Sequence, residues 1–307
     1  MKAFSWAEGA GVLVADGKKL EAVAYGPPPG VAPTVVMLHE GLGCAALWRD
    51  FPEKLAAATG LGVFVYSRAG YGRSDPVDLP RPLDYMTREA QKSLPEVHDA
   101  VGLQRGILLG LSDGASIAAI YAGEHPDERV KGLVLMAPHV FAEEPGLASI
   151  AEAKRGYKTG ELRERLARYH AHVDSAFLGW NGAWLDPAFR AWNIEDFVGR
   201  WRVPALLIQG ADDQYGTLAQ IRAIEARAQA PVESLILEGC RHSPHLERQE
   251  ATLDAAARFC SEILGRARWT MLAAQNSRPR PCHARARGHP DRRGLQLRAP
   301  RLPLARG

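Results

Sequence analysis

Gly106-Ile107-Leu108-Leu109-Gly110-Leu111-Ser112-Asp113-Gly114-Ala115-Ser116 is the stretch whose reading decides the fold. Six residues without a polar side chain run into a serine, and a small-residue helical pattern follows at 115–123. A continuous apolar run of this length is the signature of a strand buried on both faces. Residues 110–114 also fit the spacing G-x-S-x-G. Set between a buried strand and a helix, that spacing predicts a sharp turn that raises the Ser112 side chain above the sheet edge. Gly110 and Gly114 let the backbone pass without clashes. The helix N-terminus places positive partial charge beside any oxyanion that develops there. Ser112 is therefore the candidate nucleophile. A turn that merely happens to hold a serine would need neither the strand before it nor the helix after it.

The same apolar signature recurs on both sides. Residues 12–15 and 20–25 are short apolar runs flanking Asp16-Gly17, which predicts a hairpin. Thr34–Leu38, Gly62–Tyr66, residues 132–136 and 205–209, and Val232–Leu237 read as further buried strands. Helical spacing predicts helices over 48–58, 83–101 and 246–264. Buried strands separated by helices imply an α/β fold with a doubly wound, mostly parallel sheet covered on both faces.

Residues 141–202 break that rhythm. They are charged and helical, carry no strand pattern, and include Trp180, Trp184, Trp192 and Trp201. This segment reads as a helical lid inserted into a core formed by 1–140 and 203–265. Two readings of its tryptophans stand: an apolar or aromatic wall for a substrate, and packing of the lid onto the core. Trp180 and Trp184 are the candidate pocket residues.

The 307 residues suffice for one large α/β domain, and 46% apolar content is ordinary for a globular chain. No run approaches the ~20 apolar residues that span a membrane, and the first residues lack the apolar core of a signal peptide. The four cysteines (Cys44, Cys240, Cys260, Cys282) form no C-x-x-C pair. A cytoplasmic protein with reduced thiols, and with no metal site, is expected. The net charge of +3 conceals a division. Residues 277–307 hold nine arginines and one aspartate, a balance of +8, which leaves −5 for the rest. The basic character thus belongs to an Arg/Pro-rich extension over 266–307, expected to be disordered from about residue 276. Nucleic-acid binding by the body of the protein is not expected.

Two further segments follow strands and carry chemistry. The apolar run 205–209 leads into Gly210-Ala211-Asp212-Asp213, so that either aspartate ends the strand. Val232–Leu237 leads into Glu238-Gly239-Cys240-Arg241-His242-Ser243-Pro244-His245, with two histidines. A serine, then an acid, then a histidine in that chain order suit nucleophilic acyl chemistry. Cys240 reads as buried filler, since no base is placed to activate it.

With these motifs and the turn Ser67-Arg68-Ala69-Gly70-Tyr71-Gly72-Arg73-Ser74, the chain resembles the α/β-hydrolase superfamily over residues 10–265. The elbow Ser112-Asp113-Gly114 is similar to that of the valacyclovir-hydrolase-like branch. The resemblance implies that Asp213, three residues after the glycine, is the acid and His242 the base, with Asp212 a turn residue and His245 a packing residue. It implies an oxyanion hole from the backbone N–H of Asp113 and of Gly41, in the loop His39-Glu40-Gly41-Leu42-Gly43, with Leu42 the alternative donor. His39 reads as structural. Glu40 stands where the family has glycine, either as an acid held by hydrogen bonds under the loop or as one facing the substrate. Asp113 has two readings as well: a carboxylate satisfied at the helix N-terminus, or an attraction for a cationic group. Glu40 and Leu42 join the candidate pocket.

The implied activity is a cofactor-free serine hydrolase that cleaves a small carboxylic ester or lactone through an acyl-enzyme. Serine at the elbow argues against the dehalogenase and epoxide-hydrolase branches, whose nucleophile is aspartate. A C–C bond hydrolase, a cofactor-free haloperoxidase-like enzyme and a hydrolase-fold small-molecule receptor with little turnover are the alternatives.

Overall fold

The computed structural model describes residues 2–265; the expectation of a disordered extension falls on 266–307, outside the described residues. Eight strands form one sheet: β1 (Ala10–Ala15), β2 (Lys18–Tyr25), β3 (Thr34–Leu38), β4 (Gly62–Tyr66), β5 (Gly106–Leu111), β6 (Val130–Met136), β7 (Ala205–Gly210) and β8 (Val232–Leu237). Their order is β1-β2-β4-β3-β5-β6-β7-β8. The Asp16-Gly17 hairpin makes β1 and β2 antiparallel, β2 meets β4 antiparallel, and every later pairing is parallel. The doubly wound, mostly parallel sheet is as expected.

The helices are α1 (Phe51–Thr59), α2 (Tyr85–Arg88), α3 (Leu94–Val101), α4 (Asp113–Glu124), α5 (Glu144–Lys158), α6 (Glu161–Ala167), α7 (Val173–Trp184), α8 (Glu195–Val198), α9 (Leu218–Arg227), α10 (Pro244–Glu247) and α11 (Gln249–Leu264). Period-two alternation along the buried strands divides the core into two layers. Val35, Met37, Val63, Val65, Ile107, Leu109, Val134 and Met136 pack with α1 and α11 on one face. Val36, Leu38, Phe64, Tyr66, Leu108, Leu133 and Leu135 pack with α2, α3, α4 and the helices after β6 on the other. No helix among the described residues is long and apolar enough to cross a membrane.

Three helix expectations needed correction where the backbone breaks. Residues 83–101 are not one regular helix, because a π-helical turn at Glu89–Ser93 joins α2 to α3. Pro95 lies in the first turn of α3; it has no N–H to donate, and a wider turn before it accommodates its ring. The stretch 48–58 divides at Arg49, which has φ 56°, into a 3-10 turn (Ala45–Trp48) and α1. The closing stretch 246–264 divides at Arg248, whose φ −136° and ψ 51° lie outside the helical region. In each case the apolar period continues across a break in the backbone, so periodicity alone cannot mark it.

The chain passes from β3 to β4 on one side and returns to β5 on the other. This makes the carboxyl ends of β3 and β5 the topological switch point, where ligands bind in open α/β sheets. Close approach there depends on Gly114. A methyl at that position would overlap the backbone carbonyls of Leu38 and His39, and one at Gly110 would overlap the backbone of Gly114 and Ala115. By contrast, a methyl at Gly182 on α7 meets open space. Gly114→Ala is expected to lower stability by about 1–3 kcal/mol through overpacking, whereas Gly182→Ala is neutral or stabilising by about 0.4–1 kcal/mol. Urea unfolding of the two variants checks the contrast.

Candidate functional site

Ser112 sits between β5 and α4 with φ 53° and ψ −120°, a conformation that non-glycine residues rarely adopt. Its N–H donates to Met136 O at 2.9 Å, which ties the turn to the end of β6. Its side chain is left facing a cavity of about 90 Å³ lined by Glu40, Gly41, Leu42, Ser112, Asp113, His139, Ile150, Trp180, Trp184, Tyr215 and His242. The loops after β3, β5, β6, β7 and β8 all contribute, and Ile150, Trp180 and Trp184 come from the helical insertion between β6 and β7.

Asp213 follows β7 and His242 follows β8. His242 Nδ1 lies 2.9 and 2.8 Å from the two Asp213 carboxylate oxygens. Asp213 also accepts from Gln209 Nε2 at 2.8 Å, Tyr215 N at 2.8 Å and Gly216 N at 3.3 Å. Burial would raise the Asp213 carboxyl, but the His242 contact and the Tyr215 amide carry it below its ordinary value. Asp212 makes no such contact; its N–H donates to Cys240 O, as a turn residue would. The His242 ring is flanked by Tyr215 at 4.7 Å and by His139 at 5.6 Å. Ser112 and His242 face the same cavity, but no hydrogen bond joins them among the described residues. Such bonds are often long in unliganded sites and close on the substrate.

Opposite the serine, the loop after β3 is pinned from below. His39 is buried, with Nδ1 2.7 Å from Glu40 O and Nε2 accepting from Arg68 N at 3.0 Å. Burial and the Arg68 charge hold its imidazole well below the usual range, so it is a neutral brace. Arg68 Nη2 donates to His39 O at 3.1 Å and to Glu40 O at 2.9 Å. The backbone N–H groups of Gly41, Leu42 and Asp113 have no acceptor among the described residues. They are donors left over at the cavity, which is the requirement for holding an oxyanion.

Two acids line this cavity. Asp113 accepts from the Tyr85 hydroxyl, which in turn accepts from Trp184 Nε1 at 3.0 Å. Its carboxylate is thus satisfied by a side-chain relay rather than by the helix N-terminus. Glu40 departs from the expectation that hydrogen bonds hold it under the loop: its carboxyl folds over Gly43, and among the described residues no other residue donates to it. Burial raises the carboxyls of both residues above their ordinary values. Burial also raises the Cys240 thiol to about 11, which suits an inert side chain. His245 packs against Trp48 and Phe51 at 4.8 and 6.0 Å, away from the cavity.

Sequence reasoning missed three cavity residues: His139, Ile150 and Tyr215. His139 lies just past β6 after Ala137 at φ 46°, and its place at a strand's carboxyl end in a parallel sheet was the available signal. Ile150 and Tyr215 belong to a helix face and a turn whose orientation only the tertiary structure fixes.

A strained serine at a strand-to-helix turn, with an acid two strands away and the histidine it holds three strands away in a β3-centred sheet, defines the α/β-hydrolase fold. Known proteins agree. A family model described as alpha/beta hydrolase fold matches residues 33–178. The enol-lactonase of Burkholderia xenovorans LB400 superposes with a TM-score of 0.62 at 21% identity, over 81% of this chain and 99% of that one. The naproxen esterase (carboxylesterase NP) of Bacillus subtilis does so with a TM-score of 0.62 at 18% identity, over 81% and 90%. Epoxide hydrolase B of Mycobacterium tuberculosis is 31% identical over 125 residues, 40% of this chain and 33% of that protein. The chain thus spans about a third of the length of that curated relative. The chain has the α/β-hydrolase fold.

Two histidines beside the serine raise the question of which one takes a proton. Burial pushes His139 down to about 3, which favours the neutral imidazole near pH 7. His139→Gln is therefore expected to keep the acid limb of the pH–rate profile in place, even if packing losses lower the rate. Disappearance of that limb in the variant would make His139 the base.

Proposed function

We propose that this protein is a serine hydrolase that cleaves a small, uncharged carboxylic ester or lactone. The observation that carries the reading is the strained Ser112 in one cavity with the Asp213-held His242 and the unpaired N–H groups of Gly41 and Asp113. His242 takes the Ser112 proton as Oγ attacks the acyl carbon, and Asp213 fixes the tautomer with Nδ1–H toward itself. The carbonyl oxygen becomes an oxyanion held by Gly41 and Asp113, where one donor is commonly worth ~3 kcal/mol. His242 then delivers the proton to the departing alkoxide. Water repeats the sequence on the acyl-enzyme, which releases the acid and restores Ser112.

The serine itself favours acyl transfer over epoxide opening. Attack on an epoxide would leave Ser112 as an ether, which water does not readily cleave, whereas an acyl-serine ester turns over. The cavity of about 90 Å³ favours a short acyl group, since drug-sized ligands need roughly 300 Å³ or more. Its lining holds Glu40 and Asp113 but no lysine or arginine, which disfavours substrates carrying a carboxylate.

The test is hydrolysis of short p-nitrophenyl esters and small lactones, with Ser112→Ala as the paired control. Turnover is expected in the parent and a loss of at least about 10³-fold in the variant. Turnover that survives Ser112→Ala contradicts the reading. Saturable binding without turnover would favour the receptor alternative.

A further inference from the structure

Four indole nitrogens beside or beneath the site differ in how they are satisfied. Trp48 and Trp201 Nε1 are sealed in the core without an acceptor, and Trp184 Nε1 donates to Tyr85. Trp180, on α7, is 7% exposed, lines the cavity, and has no acceptor for Nε1–H among the described residues. Its pyrrole edge, atoms Nε1 and Cδ1, lies over the Cα of Gly41 and occupies the space a Cβ would take there. Phe177 meets its ring edge-on with centroids 6.1 Å apart, which helps to fix the indole plane. A donor so placed is one residue's breadth from the Gly41 N–H and shares a cavity with Ser112. An acyl oxygen held at the Gly41 amide would lie beside the pyrrole edge of this indole.

We infer that Trp180 supplies a third hydrogen-bond donor to the substrate's acyl oxygen, carried by the helical insertion rather than by the sheet. This inference rests on the acyl-transfer reading above. It gives the insertion a chemical role: the oxyanion site is complete only while α7 is seated on the loop after β3. It also accounts for glycine at position 41, since any larger residue would displace the indole.

Two variants separate the N–H from the ring. Trp180→Phe removes the donor and part of the volume. Replacement of Trp180 by benzothienylalanine exchanges N–H for sulfur and keeps the bicyclic shape. With p-nitrophenyl butyrate, both are expected to lower kcat by about 100-fold while KM moves by less than about threefold. Affinity for a trifluoromethyl ketone, which forms an oxyanion on Ser112, is expected to fall in parallel with kcat. A benzothienylalanine variant with parental kcat overturns the proposal, as does a rise in KM alone, which would mark Trp180 as packing. Ser112→Ala in the same assay keeps the two readings apart. Hydrolysis indifferent to Ser112 counts against the hydrolase reading, while Ser112-dependent hydrolysis indifferent to the N–H counts against Trp180 alone.

Discussion

The turn from β5 into α4 runs so close beneath the end of β3 that Gly114 has the Leu38 and His39 carbonyls where a side chain would be. That approach fixes three things at once. It forces Ser112 into a positive φ, it points the start of α4 at the cavity, and it sets the distance from the serine to the loop after β3. The strain at Ser112 costs on the order of 1–3 kcal/mol. Fully buried strands on both sides, with Ile107, Leu109, Val35 and Met37 on one face, offset it. The remaining site is arranged around a serine that the sheet holds in place.

The other groups are held from behind in the same manner. Asp213 is fixed by two backbone amides and Gln209 before it meets His242. The loop with Gly41 rests on Arg68 and a neutral His39. Asp113 is tied to the helical insertion through Tyr85 and Trp184. Asp213, the Gly41 loop and Asp113 are thus each held by neighbouring groups, which is the condition for donors and bases that need no rearrangement during reaction. Glu40 is the exception, a carboxyl without a neighbouring partner at the cavity wall.

The central part of this arrangement was legible in the sequence because it is local. A buried strand, a serine between glycines and a helix are contiguous in the chain, and so are the strand-end acid and the strand-end histidine. The choice between Asp212 and Asp213, and between His242 and His245, needed a family resemblance; in the structure Asp213 meets His242, while His245 packs on Trp48. What the sequence could not carry was any contact that depends on how distant segments meet. His139 and Tyr215 flank His242 from two different loops. The Tyr85–Asp113 bond joins residues 28 apart. Trp180 over Gly41 depends on the seating of α7, which no period or motif encodes. Breaks at Arg49 and Arg248 and the π-turn before Pro95 escaped for a related reason, since the apolar pattern continues through them.

The proposed function requires that the fold make Ser112, alone among the serines of the described residues, an activated nucleophile. Reaction with a fluorophosphonate, in which the activated oxygen displaces fluoride from phosphorus, tests this without presuming any substrate. Intact-mass and peptide analysis should find one adduct per chain, on Ser112, and none after Ser112→Ala. No adduct on the folded protein, or an adduct on another residue that persists in the variant, would contradict the account.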